Sequence, residues 1–193
     1  MDLLLIRHAR PERRETRDGS PADPPLSPRG REEAAILARW LADEPLDRVV
    51  ASPMRRALET AAPLARARGL EVAIEPRVAE FDQHASSYVP LEELKAEDPE
   101  AWRAFVQGGY GEGLDLDAFR RDLVEALEEI VAASPGRRVA VVCHGGVINY
   151  WTAHVLGLAP RHFYAPDYAS VSRFVAARSG ERIVDALNER PRP

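Results

Sequence analysis

The sequence predicts an α/β fold, a three-layer sandwich with a mostly parallel central sheet flanked by helices. Two observations carry this. Short apolar runs alternate with longer segments of helical periodicity along most of the 193 residues, the pattern of successive βα units. Two of the runs, Leu3 to Ile6 and Val139 to Val142, each deliver a histidine at their far end, in Arg7-His8-Ala9 and in Cys143-His144-Gly145-Gly146. Open α/β sheets hold ligands just beyond the carboxyl ends of their strands.

In chain order, Leu3 to Ile6 is the first strand, and the Arg-, Pro- and Asp-rich stretch from Pro11 to Pro25 is a loop directly after the first histidine. Ser27-Pro28 opens a helix, with Ser as N-cap and Pro at the first helical position; Ala34, Ala35, Leu37, Ala38 and Leu41 form its apolar face. Val49 to Ala51 is a short strand. Ser52-Pro53 repeats the cap signal for a helix running to about Arg68, with Gly69 as its stop. Val72 to Ile74 reads as a third strand. The irregular segment from about 75 to 113, with helical pieces at Leu91 to Glu97 and Ala101 to Gln107, reads as a lid inserted into a single domain spanning 1–193. Leu114 to Ala133 is helical, with Leu116, Phe119, Leu123, Leu127 and Ile130 on one face. The strand Val139 to Val142, a helix from Gly146 to Leu156, and strands at Val171 to Ala177 and Arg182 to Leu187 complete the order.

Composition narrows the function. A hydrophobic content of 45% suits a full core, and a net charge of −5 argues against general nucleic-acid binding. No apolar run approaches the roughly 18 residues of a membrane span, and there is no secretory leader pattern. The single cysteine, Cys143, allows no internal disulfide. These features lead to the expectation of a cytoplasmic protein. Positive charge is almost all arginine, with five arginines from Arg7 to Arg17. Arg10, Arg13, Arg14 and Arg17 read either as a solvated loop or as a basic rim that attracts an anion.

A neutral imidazole is nucleophilic near pH 7, and a phosphohistidine divides one hard displacement into two easier ones. By itself His8 also reads as a core histidine at a strand end, but Arg7 beside it brings a guanidinium that matches phosphate. Arg55 and Arg56 lie in the first turn of a helix, where positive charge opposes the macrodipole and a bound anion would relieve the conflict. One of the two is expected to point inward. Gly145-Gly146 lets backbone amides approach an oxyanion at the start of a helix. Cys143 closes an apolar run and reads as a buried hydrophobe.

Taken together these residues resemble the histidine phosphatase superfamily, also called the phosphoglycerate mutase-like family. Arg7-His8-Ala9 stands where the family has Arg-His-Gly. Ser52, Pro53, Arg56 and Ala57 match its Ser-Pro-x-x-Arg-Ala, Glu80 its acidic residue after the third strand, and His144-Gly145 its late His-Gly pair. Leu26 to Gly30 and Tyr168 to Ser172 resemble two further family segments. The resemblance implies a phosphatase that hydrolyses phosphate monoesters of small molecules, without a metal or other cofactor. It further implies that His8 attacks phosphorus, Arg7, Arg56, His144 and Gly145 bind the phosphoryl oxygens, and Glu80 serves as general acid and then base.

Three departures keep alternatives open. Ala9 replaces the family's Gly. Arg10-Pro11-Glu12 replaces the mutases' Glu-Thr-x-x-Asn, which weighs against a cofactor-dependent phosphoglycerate mutase. Phe81-Asp82-Gln83-His84 replaces Gly-x-Trp-Glu-Gly, so Asp82 is an alternative acid, and His84 either faces the substrate or sits on a surface loop. A catalytically idle member that binds a phosphorylated ligand is the remaining reading. Tyr88, Trp102, Phe105 and Tyr110 are candidates to enclose a leaving group, or to pack on each other; His154 and His162 are assigned to structure.

Overall fold

Along the chain, the elements are β1 (Asp2–Arg7), β2 (Arg14–Glu15), α1 (Pro28–Trp40), β3 (Arg48–Ala51), α2 (Arg55–Arg68), β4 (Val72–Ile74), a 3-10 turn (Pro76–Val78), β5 (Ser87–Tyr88), α3 (Leu91–Glu97), α4 (Pro99–Val106), α5 (Leu116–Ala132), β6 (Arg138–Cys143), α6 (Gly145–Leu156), β7 (Val171–Ala176) and β8 (Arg182–Glu189). They come from a computed structural model that describes residues 1–106, 114–159 and 161–191. Residues 107–113 of the expected lid, with Tyr110, and the side chain of Phe105 lie outside what is described.

Six strands form one sheet in the order β4-β3-β6-β1-β7-β8. The first four are mutually parallel, while β7 runs antiparallel to β1 and β8 antiparallel to β7. Residues alternate faces along a strand, so β1 sends Leu4 and Ile6 toward α1 and α2 and Leu3 and Leu5 toward α5 and α6. A strand buried on both faces must be apolar throughout, which is why β1 and β6 read as unbroken runs. The layering is that of the predicted three-layer α/β sandwich.

Most local signals act where expected. Ser27 caps α1, its Oγ accepting from the Gly30 amide at 3.0 Å, and α2 stops at Gly69, which takes the left-handed conformation. Two expectations are corrected. The 11–25 loop contains β2, which pairs with β5 and so ties the loop to the inserted segment. The second helix begins at Arg55, with Met54 as N-cap and no side-chain cap from Ser52. Instead, the Asp23 carboxylate accepts from the Arg55 amide at 2.9 Å. That loop carboxylate supplies the anion that the helix end calls for, and Ser52 is left available to another partner.

Candidate active site

The carboxyl ends of β1, β3 and β6 converge on one cavity of about 270 Å³, lined by Arg7, His8, Arg56, Glu80, Gly145 and Gly146 among others. β1 and β6 are adjacent and in register, Arg7 opposite Cys143, so the residues that follow each strand must meet. The His8 and His144 rings lie 5.1 Å apart, and both side chains are buried.

The two imidazoles are held differently. His8 Nδ1 is 2.8 Å from the Ala9 carbonyl. A carbonyl only accepts, so Nδ1 carries the proton and Nε2 keeps its lone pair. His144 is tied through the other nitrogen, with Nε2 at 2.8 Å from Ser52 Oγ. Burial, followed by the charges of Arg56 and Arg7, holds His8 well below the usual 6.5. Burial and the cationic neighbours Arg56 and Arg7 act on His144 in the same direction. Both rings are therefore neutral at pH 7.

Each arginine is fixed by one hydrogen bond and one aromatic face. Arg7 Nη1 donates to the Pro166 carbonyl, and its guanidinium carbon sits 4.0 Å from the Tyr168 ring centre. Arg56, 1% exposed, donates through Nη2 to Asp82 Oδ1 at 2.9 Å and lies 4.7 Å from the Tyr88 ring centre. Arg7 Nε, Arg56 Nε, Arg56 Nη1 and His144 Nδ1 are buried without an acceptor among the described residues. Buried donors without acceptors are costly. Three guanidinium donors, with His144 Nδ1 as a fourth when the Ser52 hydroxyl donates to Nε2, are suited to a tetrahedral oxyanion beside His8.

Glu80 follows the 3-10 turn and is buried. Its Oε2 accepts from the Gly146 amide at 2.8 Å. A Cβ on Gly146 would come within 2.2 Å of Glu80 Oε1, so any side chain there would push the carboxyl group from its present place. The expectation that both glycines serve an oxyanion is thus revised: the Gly146 amide is committed to Glu80, and Gly145 lies beside Arg7 Nε. Burial, reinforced by the nearby Asp82, pushes the Glu80 carboxyl up from 4.5 to about 7.

Arg55 is solvent-facing and paired with Glu59 while Arg56 points inward, as expected of the pair. Cys143 is fully buried, and burial pushes its thiol up. His84 is exposed. His154 stacks against Trp151. His162, assigned to structure from sequence, lines the cavity. Arg10 pairs with Glu92 and Glu93, and Arg13 with Glu97. These two arginines therefore clasp α3, a use that neither sequence reading contained. Sequence reasoning also missed Ser52 as the partner of His144, because Ser-Pro before a helix reads first as a cap. It missed Tyr168 as the platform for Arg7 as well. That tyrosine is turned into place by Ala169, which adopts a left-handed φ of 53° and donates its amide to the His8 carbonyl.

Among the described residues, no three His, Cys, Asp or Glu side chains group to hold a metal ion, and no helix is long and apolar enough to cross a membrane. The family model for the histidine phosphatase superfamily (branch 1) matches residues 3–189. Phosphoserine phosphatase 1 of Hydrogenobacter thermophilus is 32% identical over 84% of this chain and 80% of its own length. A probable phosphoglycerate mutase GpmB of Yersinia enterocolitica is 25% identical over 83% and 77%. A mycobacterial glucosyl-3-phosphoglycerate phosphatase, solved with VO3, shares the fold at a TM-score of 0.76, with 24% identity over 97% of this chain and 98% of that one. With the match running from β1 to the last strand, the chain belongs to the histidine phosphatase superfamily.

Proposed function

We propose that this chain is a phosphatase that hydrolyses small phosphate monoesters through a phosphohistidine at His8. The observation that carries the reading is the set of four buried donors lacking acceptors beside a neutral His8 whose Nε2 lone pair is unprotonated. A phosphoryl group satisfies all four, and its transition state concentrates charge on the oxygens they would bind. Relatives named as a phosphatase and as a probable mutase support a phosphoryl-transfer reading, and the loop after His8 favours hydrolysis over the mutase alternative.

In the first step Nε2 forms a bond to phosphorus as the bond to the leaving oxygen breaks. Arg7, Arg56, His144 and Gly145 hold the equatorial oxygens, and Glu80, protonated, gives its proton to the departing alkoxide. In the second step the Glu80 carboxylate takes a proton from water, whose oxygen bonds to phosphorus as the N–P bond breaks. Inorganic phosphate leaves, and His8 and Glu80 return to their starting states. Asp82 is the weaker candidate for the acid, because Arg56 holds its carboxylate in an ion pair. We read residues 75–113 as the lid of a single catalytic domain. A cytoplasmic setting accords with the single buried free thiol.

The test is rapid mixing with a radiolabelled ester followed by an alkaline denaturing quench, in which a phosphoramidate survives. Label on the peptide carrying His8 is expected. Turnover by His8→Ala at the wild-type rate overturns the proposal.

A further inference from the structure

We infer that the leaving group of the preferred substrate is a neutral, largely apolar alcohol of about one ring in size, seated in a second cavity that opens from the phosphate-binding one. This rests on the phosphatase reading above. The second cavity, about 220 Å³, shares Arg7, Leu91, Gly145 and His162 with the first. An ester whose phosphoryl group lies against Arg7 and Gly145 can therefore extend directly into it.

Its walls are apolar. Leu91 and Trp102 come from α3 and α4, and Phe163, Ala165 and Pro166 from the loop between α6 and β7. Two polar side chains in those walls, Asn149 and Tyr164, are committed elsewhere. Asn149 donates through Nδ2 to the carbonyls of Gly145 and Tyr164 and accepts through Oδ1 from the amides of Phe163 and Tyr164. All four of its hydrogen-bonding positions are thereby spent on shaping the loop. The Tyr164 hydroxyl pairs with Ser172 on the sheet. Burial lowers the His162 imidazole to about 4, so it is uncharged at pH 7. Arg7 is the only charged side chain among the described residues that line this cavity, and its guanidinium also faces the phosphoryl group.

An ammonium entering this space would lose its hydration and meet no acidic side chain among the described lining residues, and a carboxylate would have to share Arg7 with the phosphoryl group. Size sets the other bound. A cavity of roughly 150 Å³ lined by apolar side chains admits benzene, so this one has room for a substituted ring or short branched chain. The chemistry differs from that of phosphoserine, on which the named Hydrogenobacter relative acts.

Two measurements test this. The first is binding of nonhydrolysable phosphonates by calorimetry, which needs no turnover. Phenylpropylphosphonate is expected to bind about 100-fold more tightly than the phosphonate isostere of phosphoserine. Equal or reversed affinities overturn the inference. The second compares kcat/KM for phenethyl phosphate and phosphoserine, two alkyl esters. The same order is expected, and Phe163→Ala should shrink the ratio by about tenfold, with Ala165→Arg shrinking it further. Because each is read as a ratio, partial misfolding cancels. The expected binding order without turnover of any ester would strike the phosphatase reading alone; turnover with phosphoserine preferred would strike this inference alone.

Discussion

His8 and His144 stand at equivalent places, each at the carboxyl end of a parallel strand, on neighbouring strands and with rings 5.1 Å apart. They differ in which nitrogen is tied. A backbone carbonyl takes the Nδ1 proton of His8 and leaves a lone pair at Nε2. Ser52 takes the Nε2 side of His144 and leaves Nδ1 buried without an acceptor among the described residues. When the serine hydroxyl donates to Nε2, Nδ1 carries the proton and becomes a donor. One imidazole is built to attack and the other to hold. The distinction comes from one partner next in sequence, the Ala9 carbonyl, and one brought from 92 positions away, Ser52.

The largest expected effect follows directly. His8→Ala should lower kcat for a phosphate monoester by on the order of 10⁴-fold, since the nucleophile is gone and no covalent route remains. His144→Ala should cost about 10²-fold, the usual loss for one oxyanion donor, and should still form the phosphoenzyme, more slowly. Single-turnover labelling of both variants checks this. Equal losses, or a labelled His144, would break the division of labour.

A second contrast lies between the two histidines and Glu80. Both imidazoles are depressed and stay neutral across the physiological range, whereas Glu80 is raised to about 7. The group that must be protonated to act therefore loses its proton near neutrality. Above about pH 7 its protonated fraction falls tenfold per pH unit, and kcat/KM should fall with it. No loss from His8 protonation is expected near pH 6.5. The pH profile of wild type against Glu80→Gln is decisive, because the alkaline limb should vanish in the variant along with most of the rate. An alkaline limb retained by Glu80→Gln would move the acid role to Asp82.

Ser52→Ala comes next in size. It removes the hydroxyl that aims His144 and leaves the ring inside a buried site, so a loss of about tenfold in kcat with little change in KM is expected. Such a split marks a positioning residue, because general destabilisation would not separate the two constants.

These residues also show what was readable before the structure. β1 and β6 were legible because a strand covered on both faces has to be apolar throughout, and the helices because Ser27, Gly69 and the apolar spacing of α5 act locally. Arg7, His8 and His144 were legible as strand-end residues and the Arg55-Arg56 pair as a helix start, while the choice of Arg56 and of Glu80 came with the family resemblance. What escaped was everything set by contacts across the sequence. Ser52 meets His144 from 92 positions away, and Arg10 meets Glu93 across 83. Asp23 caps a helix 32 residues on. Such pairings depend on the strand order, which local periodicity does not contain.

The smallest expected effect concerns Ala9, whose methyl group replaces the hydrogen of the family's usual glycine beside the nucleophile. The residue is not among those with positive φ, so its backbone makes no demand that only glycine meets. Its side chain is fully buried in the core formed with α1 and α2. Its amide donates to Thr60 Oγ1 at 2.9 Å, while its carbonyl holds His8 Nδ1. The functional parts of residue 9 are therefore main-chain atoms that any residue supplies, and the methyl contributes packing. Ala9→Gly should change kcat by less than about twofold and destabilise the fold by about 1 kcal/mol through lost burial and a freer unfolded chain. For a chain of this size that corresponds to a drop in Tm of roughly 2–4 °C. A tenfold gain in kcat would instead mean that the methyl obstructs the imidazole, and that His8 is held less well for attack than His144 is for binding.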